Sequence, residues 1–141
     1  MSFTGEFRHT IDAKGRLIVP ARMRDEIEDD RVVLVMSPEG CIDLWSGVRW
    51  SAYESQLLAQ RKANPDSRTV IRRIASSAHP DRVDRQGRMT IPPHLRAHAG
   101  IEREVLVVGS FDHAEIWNPE RWAEDQPPDD ELRDVYRSMN L

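Results

Sequence analysis

The chain has 141 residues, 39% of them apolar, with a net charge of −4, which fits one small globular domain or two half-size ones. The longest unbroken apolar run, Val32 to Met36, is too short to cross a bilayer. The first eight residues lack the apolar stretch of a secretory leader, and the single cysteine, Cys41, permits neither an intramolecular disulfide nor a Cys-x-x-Cys zinc or redox pair, so a cytosolic protein is expected. The negative charge would argue against a nucleic-acid partner were it spread evenly. It is not: residues 120–141 hold seven acids against three arginines, and the first 119 residues are balanced at 17 charges of each sign.

In chain order, a short strand enters a tight turn at Asp12-Ala13-Lys14-Gly15-Arg16 and leaves through Leu17, Ile18 and Val19. Gly15 supplies the positive φ such a turn needs. Pro20 then ends the strand and opens a short helix carrying Met23 and Ile27. Val32 to Met36 reads as a strand buried on both faces, and Cys41 to Trp45 as a third strand. Two amphipathic helices follow, one with Trp50, Tyr53, Leu57 and Leu58 at helical spacing, the other opening at Asn64-Pro65 and carrying Val70, Ile71 and Ile74.

From Val83 the pattern starts again. Ile11 to Trp50 aligns without a gap on Val83 to Trp122 at an offset of 72, matching at about twelve of forty positions. The matches include Asp12/Asp84, Gly15/Gly87, Arg16/Arg88, Pro20/Pro92, Arg24/Arg96 and Trp45/Trp117. The second copy therefore holds a turn at Asp84-Arg85-Gln86-Gly87-Arg88, a helix with Leu95 and Ala99 that stops at Gly100, and strands at Val105 to Val108 and Ala114 to Trp117. Asn118-Pro119-Glu120 reads as a helix start with Asn118 as N-cap. Gln126 to Asp130 reads as a linker, and Glu131 to Met139 as a final helix. The resulting organisation is a first repeat over residues 5–50, a helical connection over 51–78, a second repeat over 79–122 and an acidic tail over 123–141. A half of about forty residues is too small to bury its own core. The expected fold is therefore α+β, with both repeats interlocked in one barrel of internal pseudo-twofold symmetry and helices at its periphery.

Each turn sets an arginine just after a glycine, four residues beyond a carboxylate that could fix its guanidinium. A held guanidinium can bridge O6 and N7 of guanine, and a two-stranded ribbon fits the major groove. Residues 1–24 hold Arg8, Lys14, Arg16, Arg22 and Arg24 against Glu6 and Asp12, so positive charge gathers at the first turn. The second turn, with Arg82, Arg85 and Arg88 near Asp81 and Asp84, has Gln86 where the first has Lys14, so the first copy is expected to lead any phosphate contact. Ion pairs that merely brace the turns would use the same residues, and bracing is compatible with reading. Arg61, Lys62, Arg68, Arg72 and Arg73 read as a solvated helix face in preference to a phosphate-contacting one.

The paired turns, their Gly-Arg-Leu-Ile-Val-Pro and Gly-Arg-Met-Thr-Ile-Pro continuations and the intervening Asn64-Pro65 helix resemble the bacterial MraZ family, from Phe7 to about Trp122. That family is similar to the AbrB-type regulators, whose swapped-hairpin β-barrels bind DNA as dimers. The resemblance implies a transcriptional regulator in the cytoplasm and nucleoid that binds repeated promoter sites on double-stranded DNA. It also implies repression of the regulator's own operon in the division and cell-wall gene cluster, and a ring-like homo-oligomer whose many weak contacts add as avidity. Carried over residue by residue, DNA contact falls on Lys14 and Arg16, with Arg88 matching in the second half. Ala13 departs from the polar residue of many relatives.

Two other classes compete. His94 and His98, four apart on a helix, could share a metal with Asp112 or His113, but the segment lacks the glutamate of the zinc-protease helix. No serine sits in a nucleophile elbow or phosphate loop, so no enzyme, cofactor, metal, membrane or small-molecule substrate is expected. An assembly or antitoxin-like module, using the tail from Asp125 to wrap a partner, has no need of Lys14, Arg16, Arg22 and Arg24 together. The four tryptophans, in repeat-matched pairs, read as core anchors ahead of base-stacking platforms.

Overall fold

The computed structural model describes residues 2–141. In the first repeat, β1 (Glu6–Thr10) leads through the Asp12 turn into β2 (Arg16–Ile18), α1 (Ala21–Arg24), β3 (Arg31–Met36) and β4 (Ile42–Ser46). The helical connection is α2 (Gly47–Ala63), a 3-10 turn at Pro65–Ser67 and α3 (Arg68–Ser77). The second repeat runs through β5 (His79–Arg82), β6 (Arg88–Thr90), α4 (Pro93–Ala99), β7 (Glu104–Gly109), β8 (Ala114–Trp117) and α5 (Pro119–Asp125), and α6 (Asp129–Ser138) forms the tail.

The strands entering and leaving each turn do not zip into a hairpin with one another. β1 pairs antiparallel with β7 of the second repeat, β5 pairs with β3 of the first, and β2 pairs with β6. β4 pairs with β8, which completes a six-stranded sheet in the order β1-β7-β8-β4-β3-β5, and β2-β6 stands as a separate two-stranded sheet. A three-residue strand cannot satisfy its backbone groups within its own repeat, and the matching strand of the other copy supplies the missing partners. The fold is thus mixed α/β, built on an antiparallel six-stranded sheet with helices around it. Among the described residues no ladder joins its edge strands β1 and β5.

The largest buried cluster draws on both copies, including Leu17, Met23, Leu34 and Leu44 from the first and Met89, Leu95, Val107 and Ile116 from the second. Both expected double-buried strands appear, with Val32 to Val35 and Val105 to Val108 buried. Asn118 caps α5 as read, its Oδ1 accepting from the N–H groups of Glu120 at 2.8 Å and Arg121 at 3.4 Å.

Several elements differ from the sequence reading. α1 ends at Arg24, so Ile27 is buried just beyond the helix rather than on it. In α2 only one side meets the protein: Tyr53 stacks on Trp45 at 4.4 Å and Leu57 packs nearby, while Leu58 is exposed. α3 buries Ile71 and Ile74 but leaves Val70, at one edge of the apolar stripe, exposed. α6 takes in Asp129 and Asp130, read as linker, since carboxylates suit the positive end of a helix.

Candidate nucleic-acid interface

The two Asp-x-x-Gly-Arg turns are nearly superposable in their bonding. Asp12 Oδ1 accepts from the N–H groups of Lys14 and Arg16, both at 2.9 Å, and Oδ2 accepts from Arg16 Nε at 2.8 Å. In the second turn Asp84 Oδ1 accepts from Gln86 and Arg88 at 2.9 Å, and Oδ2 from Arg88 Nε at 2.8 Å. Gly15 and Gly87 close the turns with φ of 77° and 80°, a region glycine enters without strain. One carboxylate therefore shapes the backbone and aims the guanidinium at once. The backbone N–H of Arg16, its guanidinium and the N–H of Lys14 hold the Asp12 carboxyl below the usual carboxylate range, and Arg88 with Gln86 does the same for Asp84. The lowered direction means that this contribution is present above the ordinary carboxylate pKa and is lost as pH falls through the lower, folded value.

The turns are brought side by side by the β2-β6 ladder, in which Arg16 faces Thr90, Leu17 faces Met89 and Ile18 faces Arg88. Leu17 and Met89 point into the core, so strand alternation sends Arg16, Ile18, Arg88 and Thr90 outward together. Bonding through Nε leaves both Nη nitrogens of each arginine outside the ion pair. The ladder also ties the turns to each other, since Val19 N–H donates to Gly87 O at 2.8 Å and Ile91 N–H to Gly15 O at 2.9 Å.

The remaining basic residues divide into two groups. Lys14 and Arg85 are exposed on the turns themselves. Arg24 crosses to the other repeat, where its guanidinium covers the face of Gly87. Its repeat mate Arg96 covers Gly15 and donates from Nε to Ile91 O at 3.1 Å. Arg96 is the site residue the sequence reading passed over, although its match to Arg24 was visible. Arg8 is exposed in the middle of β1, and Arg22 lies over the Phe7 ring at 5.7 Å, beside Gly5 and at the end of β1 away from the turn. Arg61, Lys62 and Arg68 line a shallow groove where α2 meets α3. His94 and His98 do not converge on a common point: Nε2 of His94 meets Ser77 O at 3.0 Å and Nε2 of His98 meets Ser37 O at 2.8 Å. No helix among the described residues is long and apolar enough to cross a membrane.

Asp12→Asn separates aiming from turn formation, because an amide keeps one acceptor oxygen but loses the charge facing Arg16. DNA affinity is expected to drop severalfold, less than on removing Arg16 itself, with only a small fall in melting temperature because the ion pair is partly exposed. Fluorescence anisotropy alongside thermal unfolding checks both parts.

The MraZ protein family, described as antitoxin-like, matches residues 2–73 and 74–128 of the chain. Among similar proteins, the "Transcriptional regulator MraZ" of Ligilactobacillus salivarius is 41% identical over 120 residues, covering 85% of this chain and 83% of that one. The protein of the same name from Thermomicrobium roseum is 40% identical over 121 residues, covering 86% of this chain and 84% of that one. The one from Lachnoclostridium phytofermentans is 38% identical over 140 residues, covering 99% of this chain and 98% of that one.

Proposed function

The chain belongs to the MraZ family, and from that premise we propose that it is a transcriptional regulator that reads double-stranded DNA with the paired Asp-x-x-Gly-Arg turns. The observation that carries the reading is the outward pair Arg16 and Arg88, each fixed through Nε by a carboxylate on a ribbon made jointly by the two repeats. A guanidinium held in this way loses little further freedom when its Nη edge meets O6 and N7 of guanine. Lys14 and Arg85 flank the reading pair as phosphate contacts, Arg8 and Arg22 extend them along β1, and Arg24 acts at the second turn. In this reading Asp12, Gly15, Asp84 and Gly87 shape the turns.

The finer picture is a swapped-hairpin barrel in which the repeats over residues 5–50 and 79–122 act as one structural domain, joined by 51–78 and followed by the tail 123–141. Copies of the chain assemble into a ring-like homo-oligomer that sets several ribbons against repeated promoter sites, in the cytoplasm and on the nucleoid. The target is the promoter of its own operon in the division and cell-wall cluster, and the outcome is repression. Relatives named as transcriptional regulators support this reading. The test is anisotropy of the full chain on the duplex upstream of its own gene against a scrambled duplex, over a salt series. Equal binding to both duplexes, or none, would overturn the proposal.

Arg88→Ala is expected to weaken specific binding less than Arg16→Ala, because Gln86 replaces Lys14 beside it and the local charge is smaller. An equal or larger loss would reverse the ranking of the two turns.

A second reading, an antitoxin-like interaction module, draws on the tail. Leu132, Val135 and Tyr136 on α6, and Met139 just past its end, are exposed at helical spacing. That reading predicts a captured protein partner and no preference among duplexes.

A further inference from the structure

The β2-β6 ribbon carries one side chain that neither the turns nor the core account for. Ile18 is 52% exposed, and among the described residues it is the one large hydrophobic side chain exposed on a strand. It stands on the outward face of β2, directly opposite Arg88 in the ladder and two residues along from Arg16. Its repeat mate, Thr90, is also exposed and stands opposite Arg16 in the same way. A single aliphatic residue in solvent is ordinary by itself. This one lies beside both held guanidinium groups, on the face that the turns present outward.

Residues facing each other on antiparallel strands have Cα atoms about 5 Å apart, and residues two along one strand are about 7 Å apart. One step between bases on a DNA strand is about 3.4 Å, so Ile18 falls within about two steps of a base that either arginine meets. The position is also firm. Leu17 and Met89, which face each other on the inner side of the ribbon, are buried and seat it on the core, and branching at Cβ holds Ile18 to few rotamers. An aliphatic side chain offers no hydrogen bond, and the apolar group that base edges present in the major groove is the C5 methyl of thymine. A cytosine in the same place turns its amino group to that surface, and a donor set against aliphatic carbon gives up water without gaining an acceptor.

We propose that Ile18 selects thymine over cytosine by packing on its C5 methyl, about one or two base pairs from the guanine that Arg88 meets. The inference rests on the ribbon being the DNA-contacting element, and it adds a second base to the one the arginines read. Each recognition pair is then built across the repeats, Ile18 of the first beside Arg88 of the second and Thr90 of the second beside Arg16 of the first. The two pairs differ in chemistry. Thr90 has a methyl and a hydroxyl, so it can meet thymine or a hydrogen-bonding base edge. Ile18 has apolar surface alone, so the demand for thymine falls on its side of the ribbon.

The test is anisotropy of the full chain on the duplex upstream of its own gene, with thymines replaced one at a time by deoxyuridine, which removes the methyl group and nothing else. One replacement is expected to weaken binding by the parent chain about three- to fivefold, the worth of one buried methyl group, and to cost Ile18→Ser nothing. Ile18→Ser should itself bind the unmodified duplex about three- to fivefold more weakly, with its melting temperature within a few degrees of the parent because Ile18 lies outside the buried clusters. Arg16→Ala separates this inference from the reading beneath it. If Arg16→Ala loses binding while no deoxyuridine has an effect, or while each costs the parent and Ile18→Ser equally, the thymine contact is overturned and the ribbon still reads DNA. If neither Arg16→Ala nor Ile18→Ser alters binding, both are overturned.

Discussion

Arg16→Ala is expected to lower affinity for the native upstream duplex by about 10- to 100-fold, the range of one lost bidentate base contact, while the melting temperature stays within a few degrees. The two effects separate because the side chain makes little of the fold. It is partly exposed, and the ion pair it forms is with a solvent-facing carboxylate, a type of contact that adds little to stability. The turn backbone survives, since Gly15 N–H still donates to Asp12 O at 2.9 Å and Lys14 N–H to Asp12 Oδ1 at 2.9 Å. Binding to a scrambled duplex should fall far less, because non-specific attraction depends on the summed positive charge. Anisotropy on both duplexes, with thermal unfolding of the same samples, decides the matter. A parallel loss of stability would make Arg16 a brace and not a reader.

Gly87→Val is expected to act in the opposite sense, destabilising the whole chain by roughly 2–3 kcal/mol, or about 5–10 °C in melting temperature. At φ of 80° a β-branched residue is strained whatever the space around it. A side chain on Gly87 would also displace the guanidinium of Arg24 from its place over the turn. The damage would spread, since Gly87 O accepts from Val19 of the other repeat at 2.8 Å. Differential scanning calorimetry gives the readout, and Gly15→Val should behave alike because Arg96 covers that glycine. An unchanged melting temperature would mean that the turn tolerates another backbone path.

Much of this was legible from residue type and spacing. The repeat, the two turns, the buried strands at Val32 to Val35 and Val105 to Val108 and the Asn118 cap all rest on local rules or on comparison of the chain with itself. What local rules do not contain is pairing over distance. That β1 joins β7, and that each turn's two arms part, depends on which strand of the other repeat offers an unsatisfied edge. The same limit hid where Arg24 and its repeat mate Arg96 act, across the repeat boundary on Gly87 and Gly15. It also hid the meeting of Asp43 with His113 and Glu115, which lie about seventy residues on and become its neighbours only through the register of β4 and β8. His94 and His98, by contrast, were close in sequence and meet different carbonyls.

Cross-repeat pairing within one polypeptide has an evolutionary corollary. In a dimer of identical chains every substitution appears twice, so the two halves of any shared surface must stay the same. Here a gene can alter one half alone. Lys14 matched by Gln86, and Cys41 and Asp43 matched by His113 and Glu115 at the offset of 72, are differences that a symmetric dimer could never encode. Covalent linkage thus frees the two halves to specialise, so that the left and right arms of a recognised sequence need not mirror each other.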